Sequence, residues 1–341
     1  MSAQFEVSPE QEGRLLAFLR RQLFSTPDEV SGTSLEGKTA IVTGSNIGVG
    51  FACSRQLFRL GISRLILAVR SEEKGKAAAD KLHDDPEIKS GTVEVWPLDL
   101  TSYPSVEAFA ERAMSLQRMD IVILNAAIMP IKQTLNPSTG HDEEVQVNYL
   151  STVLLLILLL QVIKDKTLSH PSRITIVSTD AAAWTSFKEK DNVPLLASLD
   201  KAVGWDPIDR HFVSKLLMQL FVAELTPYVP SSRAVINMAT PGLVHDTGIT
   251  RHANETLQGK IHGILRKLIG FTSDVGARYI VDAAANHGSE THGQYLSERK
   301  LKPMAPIVYS PRAAQVRAQL WKETLAELSF ANVEDIINGL K

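Results

Sequence analysis

The chain has little of several features, and each shortage argues against a class of protein. Among its 341 residues there is one cysteine, Cys53, which excludes an intramolecular disulfide and indicates a reducing compartment. A net charge of −2 argues against binding to nucleic acid or to an anionic membrane. The most apolar run, residues 153–160, is far shorter than the ~20 residues that a membrane span needs. Since the N-terminus also lacks a basic segment followed by an apolar one, we expect a cytoplasmic protein without a signal peptide.

What the chain does contain is a strand, a glycine-rich turn and a helix in direct succession. Residues 39–42 form a β-branched strand pattern, Gly44, Gly48 and Gly50 follow, and apolar residues at helical spacing begin at Ala52. In such a unit the first glycine permits a tight turn, the second lets the backbone approach a pyrophosphate, and the third lets helix and strand pack closely. The N–H groups of the helix N-terminus then bind phosphate. The alternative is an ordinary turn in which glycine is simply common.

Apolar runs alternate with helical patterns along the rest of the chain. The later strand patterns cover residues 65–69, 93–98, 121–124, 174–177 and 234–237. This alternation predicts an α/β fold with a doubly wound, Rossmann-type parallel sheet that is covered by helices on both faces. We expect one domain over residues 38–312, an N-terminal helical extension over 1–37 and a C-terminal helical tail over 313–341.

The N-terminal extension has leucines at helical spacing with arginines between them. These leucines are Leu15, Leu16, Leu19 and Leu23. The favoured interpretation is a helix packed on the domain, and the alternative is a basic amphipathic helix lying on a membrane surface.

The residues that follow the strands indicate the cofactor, because ligands of such sheets bind at the carboxyl ends of the strands. Arg70 follows the second strand, where a carboxylate would bind the ribose of NAD and an arginine suits the 2′-phosphate of NADP. We therefore predict NADP(H), with a solvated surface arginine as the alternative for Arg70. Asp99 and Leu100 follow the third strand, and Asn125 follows the fourth.

These motifs, with Asn148, Lys215 and the turn at residues 241–242, resemble the short-chain dehydrogenase/reductase superfamily over roughly residues 35–310. Residues 21–24 and 292–296 are similar to its fungal branch related to retinol dehydrogenases and WW-domain-containing oxidoreductases. The resemblance implies a cofactor site made of Gly44, Ser45, Asn46, Ile47, Gly48, Gly50, Arg70, Asp99, Leu100, Asn125, Lys215, Val244 and Thr247. It also implies that Asn148 supports a proton-relay water beside Lys215, and that a homodimer forms through helices near Val153 and Leu216.

The catalytic residues depart from the family pattern, which is Tyr-x-x-x-Lys with an upstream serine. Here the pair is His211 and Lys215, one turn apart on a helix face. Thr179 aligns with the serine, and Ser178 is its substitute if the register differs by one residue. Histidine suits proton transfer near neutral pH. However, imidazole is shorter than a phenol, and the ammonium of Lys215 disfavours its protonated form.

A further departure follows the turn at residues 241–242. The family places a serine or threonine there to bind the nicotinamide amide, whereas Asp246 occupies the position and Thr247 comes next. Either side chain suits the amide, so both alternatives stay open. No metal site is predicted.

The substrate prediction depends on apolar residues in a lid segment at about 243–272. These residues are Ile249, Leu257, Ile261, Ile264, Leu265, Leu268 and Ile269. They predict a lid over a pocket that an insert at 184–205 also lines, and the alternative is a helix packed on the core. Apolar walls suit a hydrophobic small molecule such as a secondary metabolite.

Three functions follow from these patterns. The first is an NADP(H)-dependent short-chain oxidoreductase that acts on a carbonyl or alcohol of a hydrophobic small molecule in secondary-metabolite biosynthesis. The second is a redox-silent enzyme of the same fold, such as a dehydratase, isomerase or cyclase. The third is an NADP-binding protein without catalysis.

Overall fold

The computed structural model of the chain describes residues 5–88, 90–166, 169–250, 263 and 266–341. Its strands are β1 (Thr39–Thr43), β2 (Arg64–Val69), β3 (Thr92–Pro97), β4 (Ile121–Leu124), β5 (Ser172–Val177), β6 (Ala234–Ala239), β7 (Tyr295–Ser297) and β8 (Lys300–Lys302). They form one sheet in the order β3-β2-β1-β4-β5-β6-β7-β8. All neighbours are parallel except β7 and β8, which are antiparallel. This confirms the predicted doubly wound sheet. The short strands β7 and β8 were not predicted.

The helices lie between the strands and at both ends of the chain. They are α1 (Pro9–Glu12), α2 (Leu15–Phe24), α3 (Gly48–Arg59), α4 (Glu72–His83), α5 (Tyr103–Met114), α6 (Glu143–Val145), α7 (Ser151–Lys164), α8 (Leu195–Leu199), α9 (Pro207–Leu225), α10 (Ser273–Ala285), α11 (Ala313–Glu327) and α12 (Val333–Asn338). A π-helix at Gln146–Leu150 joins α6 to α7. Short 3₁₀ turns lie at Asp180–Trp184, Lys188–Asp191, Thr226–Tyr228, Gly248–Thr250, Ser289–Thr291, Pro306–Tyr309 and Ser329–Ala331.

Both faces of the sheet are covered, which explains why its strands are continuously apolar. Along β1, Ile41 packs into the core beneath α5, α7 and α9, whereas Ala40 and Val42 pack into the core beneath α3 and α10. The alternation follows from the two-residue period of a strand. The chain leaves the sheet centre in opposite directions after β1 and β4, so the carboxyl ends of these two strands border the ligand crevice.

The apolar run in α7 is part of this core. The continuous helical stretch Glu143–Lys164 is long and apolar enough to cross a membrane, but 89% of its most apolar window is buried inside the fold. Val153 and Leu216, near which a dimer contact was expected, are both fully buried within the single chain. A homodimer stays a prediction, but these two side chains are not available for it.

The C-terminal helices cover α7 and α9. Trp321 of α11 stacks on Phe221 of α9 with ring centroids 5.1 Å apart. Thr324 Oγ1 lies 2.7 Å from the hydroxyl of Tyr149, in the π-helix. Val333 and Ile337 of α12 complete the same core. The tail is therefore an integral part of the fold.

The N-terminal helix α2 also packs on the domain, but with a different face from the one that its leucines suggest. Leu15, Leu16 and Leu23 are 57%, 78% and 52% exposed, whereas Gln22 is only 4% exposed. Phe18 contacts Trp184 edge-on, with ring centroids 5.1 Å apart. The inward face is polar because it binds backbone groups of the domain, as described below.

Candidate active site

The glycine turn after β1 has the geometry of a phosphate cradle. Gly44 and Gly48 have φ angles of +64° and +62°, a region that favours glycine. A Cβ on Gly50 would lie 2.4 Å from the carbonyl oxygen of Gly44, so a larger residue would force the backbone apart. Ile47 supplies no side-chain cap to α3, which leaves the first N–H groups of the helix for an anion. The buried Ser45 Oγ has no hydrogen-bond partner among the described residues. These features fit a dinucleotide pyrophosphate.

Asn125 holds this turn in place from the end of β4. Its Nδ2 donates to the carbonyl oxygens of Thr43 and Gly44, at 2.9 Å and 3.3 Å. Its backbone N–H donates to Thr43 Oγ1 at 2.9 Å. The amide therefore braces the turn, and its contact with a cofactor ribose stays a prediction.

The residues after β2 and β3 have different surroundings. Arg70 is exposed at the end of β2 and forms no ion pair within the described part of the chain. Asp99 Oδ1 accepts hydrogen bonds from the backbone N–H and the hydroxyl of Thr101, at 3.0 Å and 2.8 Å. Leu100 is 7% exposed. Asp99 thus closes a turn, and its predicted role beside an adenine stays a prediction.

The structure brings His211 and Lys215 together with a residue that the sequence patterns did not indicate. His211 Nδ1 lies 2.8 Å from Glu144 Oε1, and the Glu144 side chain is fully buried. Lys215 Nζ donates to the carbonyl oxygen of Val177, at the end of β5, at 3.0 Å. Glu144 precedes Asn148 by four residues, so it shares a helix face with a predicted site residue. This four-residue spacing is the sequence pattern that could have indicated Glu144 as a site residue.

Asn148 lies in the π-helix and links this group to the end of β4. Its Oδ1 accepts from the backbone N–H of Ile128 at 2.9 Å. Its Nδ2 lies 2.9 Å from the carbonyl oxygen of Ile128, 3.1 Å from Ser214 Oγ and 3.2 Å from Glu144 Oε1. The extra residue of a π turn often marks a functional site. A relay water at Asn148 stays a prediction.

Burial controls the protonation of these side chains. Burial and, to a smaller extent, Lys215 lower the pKa of His211 to about 3, against a smaller opposing effect of the Ile128 carbonyl. Burial lowers the pKa of Lys215 to about 8, although Glu144 opposes this. Burial, followed by Asp142, raises the pKa of Glu144 well above its usual range. The imidazole is therefore neutral at neutral pH. The sequence indicated the effect of Lys215, but not the larger one of burial.

The two candidate hydroxyls after β5 differ in their surroundings. Ser178 is 4% exposed, and its Oγ accepts from Gln219 Nε2 at 3.3 Å. Thr179 is partly exposed, and its Oγ1 accepts from the backbone N–H of Ala181 at 3.2 Å. Thr179 is thus the more exposed of the two residues, and the role of either hydroxyl in orienting a substrate stays a prediction.

The loop after β6 uses Asp246 and Thr247 differently. Asp246 Oδ1 accepts from the backbone N–H and the hydroxyl of Ser273 at 2.7 Å and 2.6 Å, and so caps the start of α10. The Cα of Thr247 would lie 3.5 Å from a Cβ on Gly48, so this residue lies against the glycine turn. Val244 is buried and pairs with Phe271 in an isolated bridge. Thr247 therefore lies beside the glycine turn while Asp246 is engaged by Ser273, and the contact of either with a nicotinamide stays a prediction.

Both ends of the lid segment are held by Gln22 of α2. Its Oε1 accepts from the backbone N–H of Leu243 at 2.8 Å. Its Nε2 donates to the carbonyl oxygens of Leu243 and Ile269 at 3.1 Å and 2.9 Å. Of the predicted apolar lid residues, Leu268 is 76% exposed. Leu257, Ile261, Ile264 and Leu265 lie outside the described residues.

The insert at residues 184–205 is tied to the elements around His211. Trp205 Nε1 donates to Asp142 Oδ2 at 3.0 Å, next to α6. Thr185 Oγ1 donates to Asp209 Oδ1 at 2.8 Å, near the start of α9. The carboxylate of Glu323 in α11 accepts from the first two backbone N–H groups of α8, each at 2.7 Å. The role of the insert in lining a substrate pocket stays a prediction.

Known proteins are similar to this chain in sequence over most of its length. The profile of the short chain dehydrogenase family matches residues 38–186. The chain is 43% identical to the short-chain dehydrogenase fogG of Aspergillus ruber, over 100% of this chain and 99% of that protein. It is 41% identical to the short chain dehydrogenase/reductase mfmJ of Annulohypoxylon moriforme, over 95% of this chain and 94% of that protein.

Solved structures share the fold at lower identity. RhlG of Pseudomonas aeruginosa, in complex with NADP, has a TM-score of 0.58 at 20% identity and covers 80% of this chain and 96% of its own. A 3-oxoacyl (acyl-carrier-protein) reductase from Agrobacterium tumefaciens, with NADP bound, has a TM-score of 0.58 at 18% identity, over 84% of this chain and 96% of its own.

Proposed function

The chain belongs to the short-chain dehydrogenase family, and on that premise we propose that it is an NADP(H)-dependent oxidoreductase acting on a carbonyl or alcohol of a hydrophobic small molecule. The observation that carries the proposal is the placement of His211 one helical turn before Lys215, whose ammonium binds the carbonyl oxygen of Val177. Val177 ends β5, and the glycine turn follows β1. Because β1, β4 and β5 run parallel, these groups lie at the same edge of the sheet.

Each side chain then has a defined task. Lys215 binds the cofactor ribose, and Thr179 orients the substrate oxygen by hydrogen bonding. His211 exchanges a proton with that oxygen through Nε2, because Nδ1 is committed to Glu144. A bound nicotinamide supplies or accepts the hydride.

The preference for NADP is supported by Arg70. The guanidinium matches the geometry of a phosphate, and Arg70 is exposed at the end of β2 without an ion pair in the part of the chain that the structure describes. The structural relatives that contain NADP are consistent with a nicotinamide cofactor. The fungal origin of the two relatives above supports a place in secondary metabolism.

The test is NADPH consumption with a panel of ketones, and NADP⁺ reduction with the matching alcohols. We expect turnover by the wild type and a loss of ~10²–10⁴ in kcat for His211→Ala, because a positioned acid is removed. His211→Tyr, which restores the family's side chain, is the matched variant. Redox turnover by His211→Tyr alone would refute wild-type redox catalysis and leave a redox-silent enzyme or an NADP-binding protein.

A further inference from the structure

Glu144 is a carboxyl group in an environment where a carboxylate is costly. It is fully buried on α6, where it faces His211 of α9, and the nearby residues Val145 and Val147 belong to the apolar core. Its Oε1 contacts His211 Nδ1 at 2.8 Å and Asn148 Nδ2 at 3.2 Å. Its Oε2 is buried and has no hydrogen-bond partner among the described residues. A buried charge with one unpaired oxygen is expensive, so the neutral acid is the favoured resting form.

A neutral acid at this position determines the state of the imidazole. When Glu144 carries its proton on Oε1, it donates to Nδ1 of a neutral His211, and the ring proton is then on Nε2. When Glu144 is ionised, it accepts from Nδ1–H, and Nε2 has no proton. The protonation of Glu144 therefore selects the tautomer of His211, and with it the ability of Nε2 to donate.

We propose that Glu144 is a positioning residue that also stores the proton for His211, so that the pair does together what one phenol does in related enzymes. In the reduction direction, the Nε2–H bond breaks as an O–H bond forms on the substrate oxygen. At the same time the Glu144 O–H bond breaks and an Nδ1–H bond forms. The pair begins as a neutral acid with an Nε2–H imidazole and ends as a carboxylate with an Nδ1–H imidazole.

This proton relay rests on the proposed function, because the electrons of the reduction come from the nicotinamide cofactor. One proton leaves the pair and the substrate oxygen gains it, while the two electrons enter the substrate with the hydride of the nicotinamide cofactor. The pair regains one proton from solvent after the product leaves. Oxidation of an alcohol is the same sequence in reverse.

The charges around Glu144 favour this relay over a protonated imidazole. An imidazolium would lie beside the ammonium of Lys215, and burial with this repulsion holds the pKa of His211 at about 3. The relay forms no imidazolium. The carboxylate that it produces is favoured by Arg210 and Lys215 of α9, although Asp142, at the start of α6, disfavours it. Asp142 is itself near Arg210, whose Nε lies 3.9 Å from Asp142 Oδ2.

The first experiment needs neither cofactor nor substrate. The ¹⁵N resonances of His211 are followed by NMR from about pH 5 to pH 10 in the cofactor-free protein, and they are assigned by their loss in His211→Asn. In the wild type we expect the Nε2–H tautomer at low pH and a change to Nδ1–H as Glu144 ionises. Glu144→Gln should show one tautomer throughout. Glu143→Gln, which makes the same change one residue away, should behave as the wild type does.

The second experiment measures kcat and KM across the same pH range. Glutamine can still hold the ring but cannot give Nδ1 a proton in exchange, so Glu144→Gln should lower kcat by ~10²–10⁴ with little change in KM. A single His211 tautomer at every pH in the wild type, or unchanged kcat in Glu144→Gln, would refute the proposal. The NMR titration of the wild type decides the matter even if Glu144→Gln does not fold. If no substrate is turned over, the proposed function fails while the titration still tests the pair.

Discussion

The stability of this protein should depend on pH through His141. His141 Nδ1 is 3.0 Å from Asp200 Oδ2, and its Nε2 is 3.3 Å from Glu327 Oε2. Asp200 is the C-cap that follows the insert helix α8, and Glu327 is the last residue of the tail helix α11. One imidazole thus joins the insert that precedes α9 to the C-terminal tail.

The contribution of His141 to the free energy of unfolding follows from the protonation of its ring. Hydrogen bonds to Asp200 and Glu327 raise the pKa of His141 from 6.5 to about 9, although burial opposes the rise. Only 12% of the side chain is exposed, so solvent screening is limited. Because one pKa unit corresponds to ~1.4 kcal/mol, the charged ring contributes about 3 kcal/mol to the free energy of unfolding. The folded pKa exceeds the unfolded one, so this contribution is complete below pH 6.5 and is lost as the pH rises through about 9.

The assay is urea unfolding of the wild type and His141→Gln at about pH 6 and pH 10. The difference in the free energy of unfolding between the two proteins isolates His141 and its contacts with Asp200 and Glu327, because titrating groups that do not contact His141 contribute equally to both. We expect a difference of about 3 kcal/mol at the lower pH and little at the higher one. His83→Gln, on the exposed surface of α4, is the matched histidine-to-glutamine control. The reasoning would be refuted if wild type and His141→Gln differed in their free energy of unfolding by the same amount at both pH values, or by more at the higher pH.

Three further predictions concern the cofactor site and the N-terminal helix. Arg70→Ala should weaken NADP(H) binding ~10-fold and leave NAD(H) binding unchanged in a fluorescence titration, since only the 2′-phosphate loses a partner; equal effects on both would count against the assignment. Gly50→Ala should abolish tight binding of either cofactor in the same titration, because its Cβ would meet the Gly44 carbonyl at 2.4 Å. Gln22→Leu should lower the free energy of unfolding in urea by ~1–3 kcal/mol for each backbone group that it leaves unpaired at Leu243 and Ile269, and it should also raise KM. Leu16→Gln, on the exposed face of the same helix, should change neither quantity.

The sequence by itself was sufficient for the fold and for the glycine turn. The strands β1 to β6 are short apolar runs with local periodicity, and the predicted runs agree with the observed strands to within two residues at each end. Gly44 and Gly48 have positive φ angles, which a glycine adopts without the steric penalty that a Cβ imposes, so this local property was readable from the residue type. The spacing of His211 and Lys215 likewise follows from helix geometry alone.

Only the tertiary structure decided the partners of these residues. Glu144 and His211 are 67 positions apart, so no local pattern indicates their contact. In the same way, Asp246 is committed to Ser273 and the buried face of α2 is the side of Gln22 rather than of its leucines. Each of these contacts depends on which helices and strands pack together, because the partner of each buried polar group is a residue far away in the sequence. Local periodicity determines the elements, and packing determines what their polar side chains touch.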